Sequence, residues 1–189
     1  MIKHTLFAAA LAALALPASA QDYQAAMTDY LSASIANWAS DEVIVAAIMA
    51  ANAERAGLTQ ADIDAMDKAW RAEAGGGSGP TIDPVMQNAA AEFLRKQAAA
   101  SGGLISEAFV TDSHGLNVAA SDVTSDMWQG DEEKHSKTYS VGPDATFVSE
   151  IEFDESSQTY QGQVSMTIVD PATGAPIGAI TVGLDVESL

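Results

Sequence analysis

The chain has 189 residues, with 26 acidic side chains against 8 basic ones and a formal net charge of −18. A chain this acidic argues against nucleic acid as a partner, because phosphates require basic side chains, and it disfavours anionic lipid surfaces for the same reason. The absence of cysteine excludes disulfides and thiolate metal sites. The length suits one domain with a substantial core.

The first twenty residues have the pattern of a secretory signal peptide. Lys3 gives a positive start, residues 6–16 form a short apolar run, and residues 18–20 (Ala-Ser-Ala) form a small-residue cleavage site. The run is shorter than the roughly 20 apolar residues that span a bilayer, and no later segment is apolar enough. We therefore expect cleavage after Ala20 and a mature protein, residues 21–189, that is periplasmic or secreted and does not insert into a membrane.

Residues 21–79 are predicted to form helices. Apolar side chains recur every three or four residues from Tyr23 to Trp38, which indicates one helix with a buried stripe. A cap at position 40 or 41 begins a second helix. Thr59, with Asp62 three residues later, resembles the capping box of a third.

A glycine-rich stretch at 75–79 separates these helices from the rest of the chain. Asp83 is then predicted to cap one further helix, with Pro84 at its first position, that continues to the glycines at 102–103. After Gly103 the hydrophobic period changes from 3.6 to 2, which is typical of strands.

Five alternating segments follow and predict an antiparallel sheet with one buried face and one wet face. Turns separate the later segments, at residues 154–158 and 170–174. Helices first and a five-stranded sheet second indicate an α+β fold. The alternating segments are 104–111, 116–121, 147–153, 160–168 and 180–186.

The order of a strand, a D-x-x-G turn at 112–115, a second strand and a polar loop with Trp128 resembles the start of the PAS-like sheet in Cache (PDC) extracytoplasmic sensor domains. The resemblance covers roughly residues 87–186. It implies a curved five-stranded sheet that cups a small ligand beneath residues 121–132, with N-terminal helices packed on it. In this interpretation, residues 80–189 are the Cache-like sensor domain, and the helical segment 21–79 belongs to the same structural unit.

The sequence departs from the family's usual arrangement in two ways. Cache domains generally precede a transmembrane helix and a signalling module, whereas this sequence ends at Leu189, just after the sheet. The resemblance therefore implies a free-standing domain that passes its occupancy to a membrane receptor or chemoreceptor. The arginine, tyrosine and aspartate set of the amino-acid-binding members is incomplete, so the identity of the ligand does not transfer.

The polar loop and the strand before it supply the candidate ligand site. An aromatic ring attracts a cation by about 0.5–2 kcal/mol, and a buried carboxylate hydrogen-bonds it. Trp128 beside several carboxylates therefore favours an amine or an amino acid. The alternative is that Trp128 fills the core while the acids face water. The candidate ligand-binding residues are Asn117, Ser121, Asp126, Trp128, Gln129, Asp131 and Lys134.

Basic residues are concentrated directly after the loop, at Lys134, His135 and Lys137. They suit the carboxylate end of a ligand. Alternatively, they pair with Glu132 and Glu133 on a solvated helix or loop.

Motifs for catalysis and for metal binding are missing from the sequence. Glu132 and His135 have the spacing of half a di-iron motif, but such a site needs two of them, and there is neither a calcium loop nor a G-x-S-x-G elbow. We therefore predict no enzyme, no metal and no cofactor. The rival to a binding protein is an interaction or inhibitor scaffold that uses its acidic surface or its helices. Whether residues 22–38 also form a homodimer contact is left open.

Overall fold

The computed structural model describes residues 20–154 and 159–189. The predicted signal peptide, apart from Ala20, and the predicted turn at 154–158, apart from the backbone of its first residue, lie outside the described residues. The helices are α1 (Ala20–Tyr30), a π-helical segment (Leu31–Ile35), α2 (Ala36–Ala39), α3 (Glu42–Arg55), α4 (Gln60–Ala74), α5 (Asp83–Met86), α6 (Ala89–Ala100), α7 (Glu133–Ser136) and a final 3-10 turn (Val186–Ser188). The strands are β1 (Ile105–Thr111), β2 (Asn117–Ala120), β3 (Thr146–Val148), β4 (Glu152–Asp154), β5 (Thr159–Val169) and β6 (Pro176–Asp185).

The first three predicted helices are present, and the second and third begin at the capping residues that the sequence predicts. The stripe from Tyr23 to Trp38 lies on α1, the π-helical segment and α2, with its inner residues buried. Asp41 caps α3 by accepting a hydrogen bond from the backbone N–H of Val43 at 3.0 Å. The Thr59 and Asp62 side chains form the predicted capping box of α4.

The predicted continuous helix from 83 to 102 is wrong, because α5 and α6 are separate helices. The Asn88 amide donates to the carbonyls of Pro84 and Val85, while its oxygen caps α6 at the Ala91 N–H. The same amide also donates to the Val118 carbonyl in β2 at 2.8 Å. Asn88 therefore breaks the helix and ties it to the sheet. Asp83 is the first residue of α5 rather than its cap.

All strand pairs among the described residues are antiparallel, in the order β2-β1-β6-β5, with β3 and β4 pairing successive stretches of β5. The predicted single strand over 147–153 is therefore two short strands, and the described sheet has six strands rather than five. Ser149 causes the break, because its hydroxyl oxygen accepts the Gln163 N–H at 2.8 Å, where a backbone carbonyl would otherwise continue the ladder. The predicted α+β class, with helices on an antiparallel sheet, is confirmed.

The two faces of the sheet have different neighbours. Residues such as Val110, Val164 and Ile180 form one core with α1, α3 and α6. On the other face, Phe109 belongs to a smaller core with α4, α5 and the segment that follows β2. Helices from the segment before residue 79 therefore share their core with the sheet.

Among the described residues, no single helix is long and apolar enough to cross a membrane. By length and composition alone, the bent pair Asp22–Ala39 and Glu42–Arg55, whose helices meet at 66°, passes that test.

The D-x-x-G turn joins three parts of the fold. The Asp112 carboxylate is fully buried and accepts the backbone N–H groups of His114 and Leu116, at 2.9 and 3.0 Å. Its other oxygen lies 2.7 Å from an Arg55 guanidinium nitrogen, which also donates to the Asn117 carbonyl. The turn that ends β1 is thereby fixed to the C-terminal end of α3.

We predict that Arg55→Met lowers the free energy of unfolding by roughly 3–5 kcal/mol, because it leaves the buried Asp112 carboxylate unpaired. Urea denaturation followed by circular dichroism measures this loss. The matched control is Lys96→Met, which removes an exposed ion pair with Glu92 and should change stability by less than about 1 kcal/mol. Equal losses in the two variants would contradict a structural role for the buried pair.

Candidate functional site

The second face of the sheet carries polar side chains in rows, because residues directly opposite one another in antiparallel strands point to the same side. One row runs from Asn117 through Thr111 and Ala179 to Thr167, as the pairings place them. The next row holds Phe109, Thr181, Ser165 and Phe147, in which the two hydroxyls lie 2.9 Å apart. The third row consists of Glu107, Gly183 and Gln163.

The third row forms the floor of a cleft. Gly183 lies between Glu107 and Gln163, and a Cβ atom there would lie 2.9 Å from the Glu107 Cγ atom. Because this position has no side chain, the Gln163 amide reaches across and donates to Glu107 Oε1 at 2.9 Å.

The cleft has a volume of about 600 Å³ and is bounded by structural elements on three sides. Strands β1 and β5 supply the floor, the broken edge around Ser149 supplies one wall, and the start of α7 supplies the other. A smaller recess beside it also contains Asp131 and Phe147. The residues that line the cleft are Glu107, Glu132, Glu133, Lys134, Ser149, Glu150, Glu152, Phe153, Gln161, Gly162 and Gln163.

Glu107 is the carboxylate that lies deepest in the cleft. Burial raises the pKa of the Glu107 carboxyl, while the charge of Lys134 and the hydrogen bond from Gln163 offset part of this increase. An ionised Glu107 is therefore poorly hydrated in the empty cleft. A cation or a hydrogen-bond donor brought to it would replace the lost hydration.

Lys134 enters the same cleft from α7. Its ammonium lies 2.9 Å from a Glu132 carboxylate oxygen and 5.3 Å from the centroid of the Phe109 ring. Lys137 pairs with Glu133 at 2.6 Å. The predicted pairing of these lysines with the neighbouring glutamates is therefore present, but the prediction of a solvated segment is wrong for Lys134 and His135, which are largely buried.

The predicted site residues fall into two groups in the structure. Lys134 lines the cleft and Asp131 lines the recess beside it. The other five line neither cavity and form hydrogen bonds within the protein: Asn117, Ser121, Asp126, Trp128 and Gln129.

These five residues anchor the segment over residues 121–132, which we call the cover. The Ser121 hydroxyl accepts the Ala108 N–H at 2.8 Å, and the Trp128 indole donates to the His114 carbonyl at 2.9 Å. The Asn117 and Gln129 amides both donate to the backbone carbonyl of Asp126, at 3.0 and 3.1 Å.

Helix α4 holds the cover from outside. Asp67 accepts the backbone N–H groups of Met127 and Trp128, at 2.9 and 3.1 Å. The Trp70 indole donates to the Thr124 carbonyl, and Arg71 pairs with the Asp126 carboxylate at 3.1 Å. The cover and α4 are thus bonded to each other at several points.

Two of the predicted site residues keep an unused acceptor. The amide oxygens of Asn117 and Gln129 are buried and have no hydrogen-bond partner among the described residues. The Thr167 hydroxyl, at the far end of the first row, is also buried and has no hydrogen-bond partner among the described residues.

His135 anchors α7 to the sheet beside the cleft. It is 4% exposed, its Nδ1 lies 3.4 Å from the Thr111 hydroxyl, and its ring stacks on Tyr139 with centroids 5.1 Å apart. Burial lowers the pKa of His135; the Asp112 carboxylate opposes this shift and His114 adds to it. The neutral imidazole is therefore the form that fits beneath α7.

Glu107, Phe109 and Gln163 are functional candidates that the sequence reasoning missed. The alternation in β5 did place Gln163 on the wet face, but nothing local shows that Glu107 shares its row. That relation depends on the register of both strands with β6. The available signal was that Glu107 is the only charged residue in β1.

Among residues 20–154 and 159–189, no three histidine, aspartate or glutamate side chains come together in a way that would hold a metal ion.

Neither a family model nor a curated protein matches the sequence. Several solved structures are similar to this one. One is the sensor domain of the Vibrio cholerae histidine kinase DctB, with 11% identity, a TM-score of 0.43, and coverage of 89% of this chain and 55% of that one. Another is the ligand-binding domain of the Campylobacter jejuni chemoreceptor Tlp3 in complex with 4-methylisoleucine, with 12% identity, a TM-score of 0.41, and coverage of 89% and 60%.

The Tlp3 sensory domain with isoleucine bound gives 14% identity, a TM-score of 0.40, and coverage of 85% and 62%. The chain is similar to these sensor and ligand-binding domains over 85–89% of its own length, and it spans 55–62% of theirs.

We predict that acidification weakens the fold through His135. Because burial depresses the pKa of this imidazole in the folded protein, the unfolded chain takes up the proton first, near pH 6.5. The contribution of the neutral His135 to the free energy of unfolding is therefore fully present above about pH 6.5. It is lost as the pH falls towards the pKa in the folded protein, by at most about 1.4 kcal/mol per pH unit.

Urea denaturation at a series of pH values tests this, with His135→Gln compared with wild type. The difference in unfolding free energy between the two should shrink as the pH falls below 6.5. A His135→Gln difference that is constant from pH 5 to pH 8 would show that the imidazole is not buried in its neutral form.

Proposed function

We propose that this protein is an extracytoplasmic sensor domain that binds a small amine-bearing metabolite, an amine or an amino acid, in the cleft on the second face of the sheet. The observation that carries the proposal is the Glu107 carboxylate, held by Gln163 at the floor of a cleft of about 600 Å³. A partly desolvated carboxylate with an open side towards a cavity is suited to a ligand ammonium.

The charge of the lining supports a cationic ligand group. Among the residues that line the cleft, five carboxylates face one ammonium, that of Lys134. A ligand that carries only a negative charge would meet net repulsion. An amino acid remains compatible, because its carboxylate has the Gln161 and Gln163 side-chain amides within the same cleft.

The cover completes the site in this proposal. Its last residue, Glu132, lines the cleft. Ser121, Asp126 and Trp128 act by positioning the cover, and Asp131 lines its outer recess. Binding would order the cover in one arrangement and thereby change the surface that a partner contacts.

Helix α4 is the route by which occupancy reaches a partner. Since α4 is bonded to the cover through Asp67, Trp70 and Arg71, a shift of the cover moves the helix with it. A membrane receptor that reads the outer face of α4 would then distinguish the empty protein from the occupied one. The predicted signal peptide supports an extracytoplasmic location for such a partnership.

We predict that an amine raises the thermal midpoint of residues 21–189 and that Glu107→Gln abolishes this increase. A ligand at 100 times its dissociation constant adds about 2.7 kcal/mol of stability, which corresponds to roughly 5–10 °C at this size. Thermal unfolding is measured with propylammonium, 1,3-diaminopropane, L-valine and propionate. Without ligand, Glu107→Gln should be at least as stable as wild type at neutral pH, because the raised pKa means that ionised Glu107 costs the fold free energy.

The control variant is Glu187→Gln, which removes an exposed carboxylate outside the cleft and should leave the amine effect unchanged. An equal amine effect in Glu107→Gln and wild type would contradict the proposed site. No effect of any of the four compounds on wild type would contradict ligand binding by this cleft and favour the docking scaffold.

A further inference from the structure

The Lys134 side chain lies in the cleft as a bound amine would. Its ammonium makes a 2.9 Å contact with Glu132 and lies 5.3 Å from the Phe109 ring centroid. It is also near enough to Glu107 for the two charges to interact. A carboxylate partner and an aromatic ring together are the contacts that bind an ammonium group.

The burial of this lysine is unusual within the chain. Only 13% of the Lys134 side chain is exposed, whereas Lys96 and Lys137, which also form ion pairs, are 71% and 52% exposed. Holding a lysine side chain in one place costs conformational entropy. The contacts around the Lys134 ammonium are therefore favourable enough to retain it away from solvent.

The Lys134 ammonium lies over the ring of Phe109. The ring is 2% exposed and lies in the row between the cleft floor and the Asn117 row. Withdrawal of Lys134 would leave a carboxylate and a ring open to the cleft, in the positions from which they contact an ammonium.

We propose that Glu107, Glu132 and Phe109 form a cage for a primary ammonium group, and that the Lys134 ammonium fills this cage in the ligand-free protein. The inference rests on the proposed function and deepens it, because it assigns the ligand's amine to a defined subsite. A ligand amine displaces Lys134, so this lysine is a competitor built into the chain. Lys134 therefore competes with the ligand's amine and does not hold the ligand's carboxylate.

The cage selects for N–H donors. Glu132 accepts a hydrogen bond from the ammonium it contacts, and a quaternary ammonium has no N–H to donate. Propylammonium should therefore bind, whereas tetramethylammonium and propionate should not.

The test compares Lys134→Met with wild type in titrations with propylammonium followed by NMR. Where a competing state must be left before binding, the apparent dissociation constant rises by the inverse of the competent fraction. If Lys134 fills the cage about nine-tenths of the time, its removal tightens binding about tenfold.

Lys137→Met is the matched control. It removes the same charge from the same segment, and Lys137 also lies over an aromatic ring, at 4.8 Å from the Phe147 centroid, and pairs with Glu133. If removal of a positive charge near the cleft by itself strengthens the binding of propylammonium, both variants show that increase in affinity. The cage predicts a gain for Lys134→Met that is at least fivefold larger than the gain for Lys137→Met.

A second measurement on the wild-type protein covers the case in which Lys134→Met does not fold. The ¹³Cε resonance of Lys134 should move to the position of a free lysine as propylammonium saturates the protein. A resonance that stays in place while the amine binds would overturn the cage.

The outcomes separate this inference from the proposed function. Binding of propylammonium with equal or weaker affinity in Lys134→Met than in Lys137→Met would overturn the cage alone. Absence of binding in wild type and in both variants would overturn the cage and the proposed amine site together.

Discussion

The buried pair of Arg55 and Asp112 is the interaction on which the arrangement of the site depends. The Asp112 carboxylate is fully buried, and both of its oxygens have partners. One oxygen accepts two N–H groups of its own turn, and the other pairs with the guanidinium of Arg55. Because that turn leads into β2 and β2 bonds to the cover, the pair indirectly places the cover over the sheet. Gly115 in the same turn has a φ of 82° and lies against the Gly130 backbone, so that no side chain fits between turn and cover.

The two faces of the sheet differ in polarity. The face towards α1, α3 and α6 is apolar and supplies most of the buried core. The other face keeps rows of hydroxyl, amide and carboxylate groups beneath α7 and the cover, and it leaves a cleft where Gly183 and the break at Ser149 make room. Because burial raises the pKa of Glu107, its ionised form costs the fold free energy at neutral pH. Such a cost is expected where a protein retains polar groups for a ligand.

Much of the fold follows from local signals in the sequence. The caps at Asp41 and Thr59 and the alternation in β5 and β6 needed no tertiary information. The misplaced elements depend on distant partners. Asn88 ends α5 with a side chain that also bonds β2, and Ser149 interrupts a strand by replacing a ladder carbonyl.

The candidate site was less predictable for the same reason. The cover was recognised as a segment, but its bonds to Asp67 and Trp70 come from a helix more than fifty residues earlier. The pairing of Glu107 with Gln163 requires two strand registers and the glycine between them. Lys134 was named as a site residue, yet only the structure shows that its ammonium lies on Glu132 and the Phe109 ring.

The most direct test of the account is a map of backbone amide chemical shifts during titration with propylammonium. We predict that the largest changes in chemical shift occur at residues 105–109, 131–135 and 161–165, which surround the cleft on the second face of the sheet. Changes concentrated instead at the groove between α2 and α6, around Asn37 and Ser101, or in the cleft beside Leu58 and Met66, would contradict it.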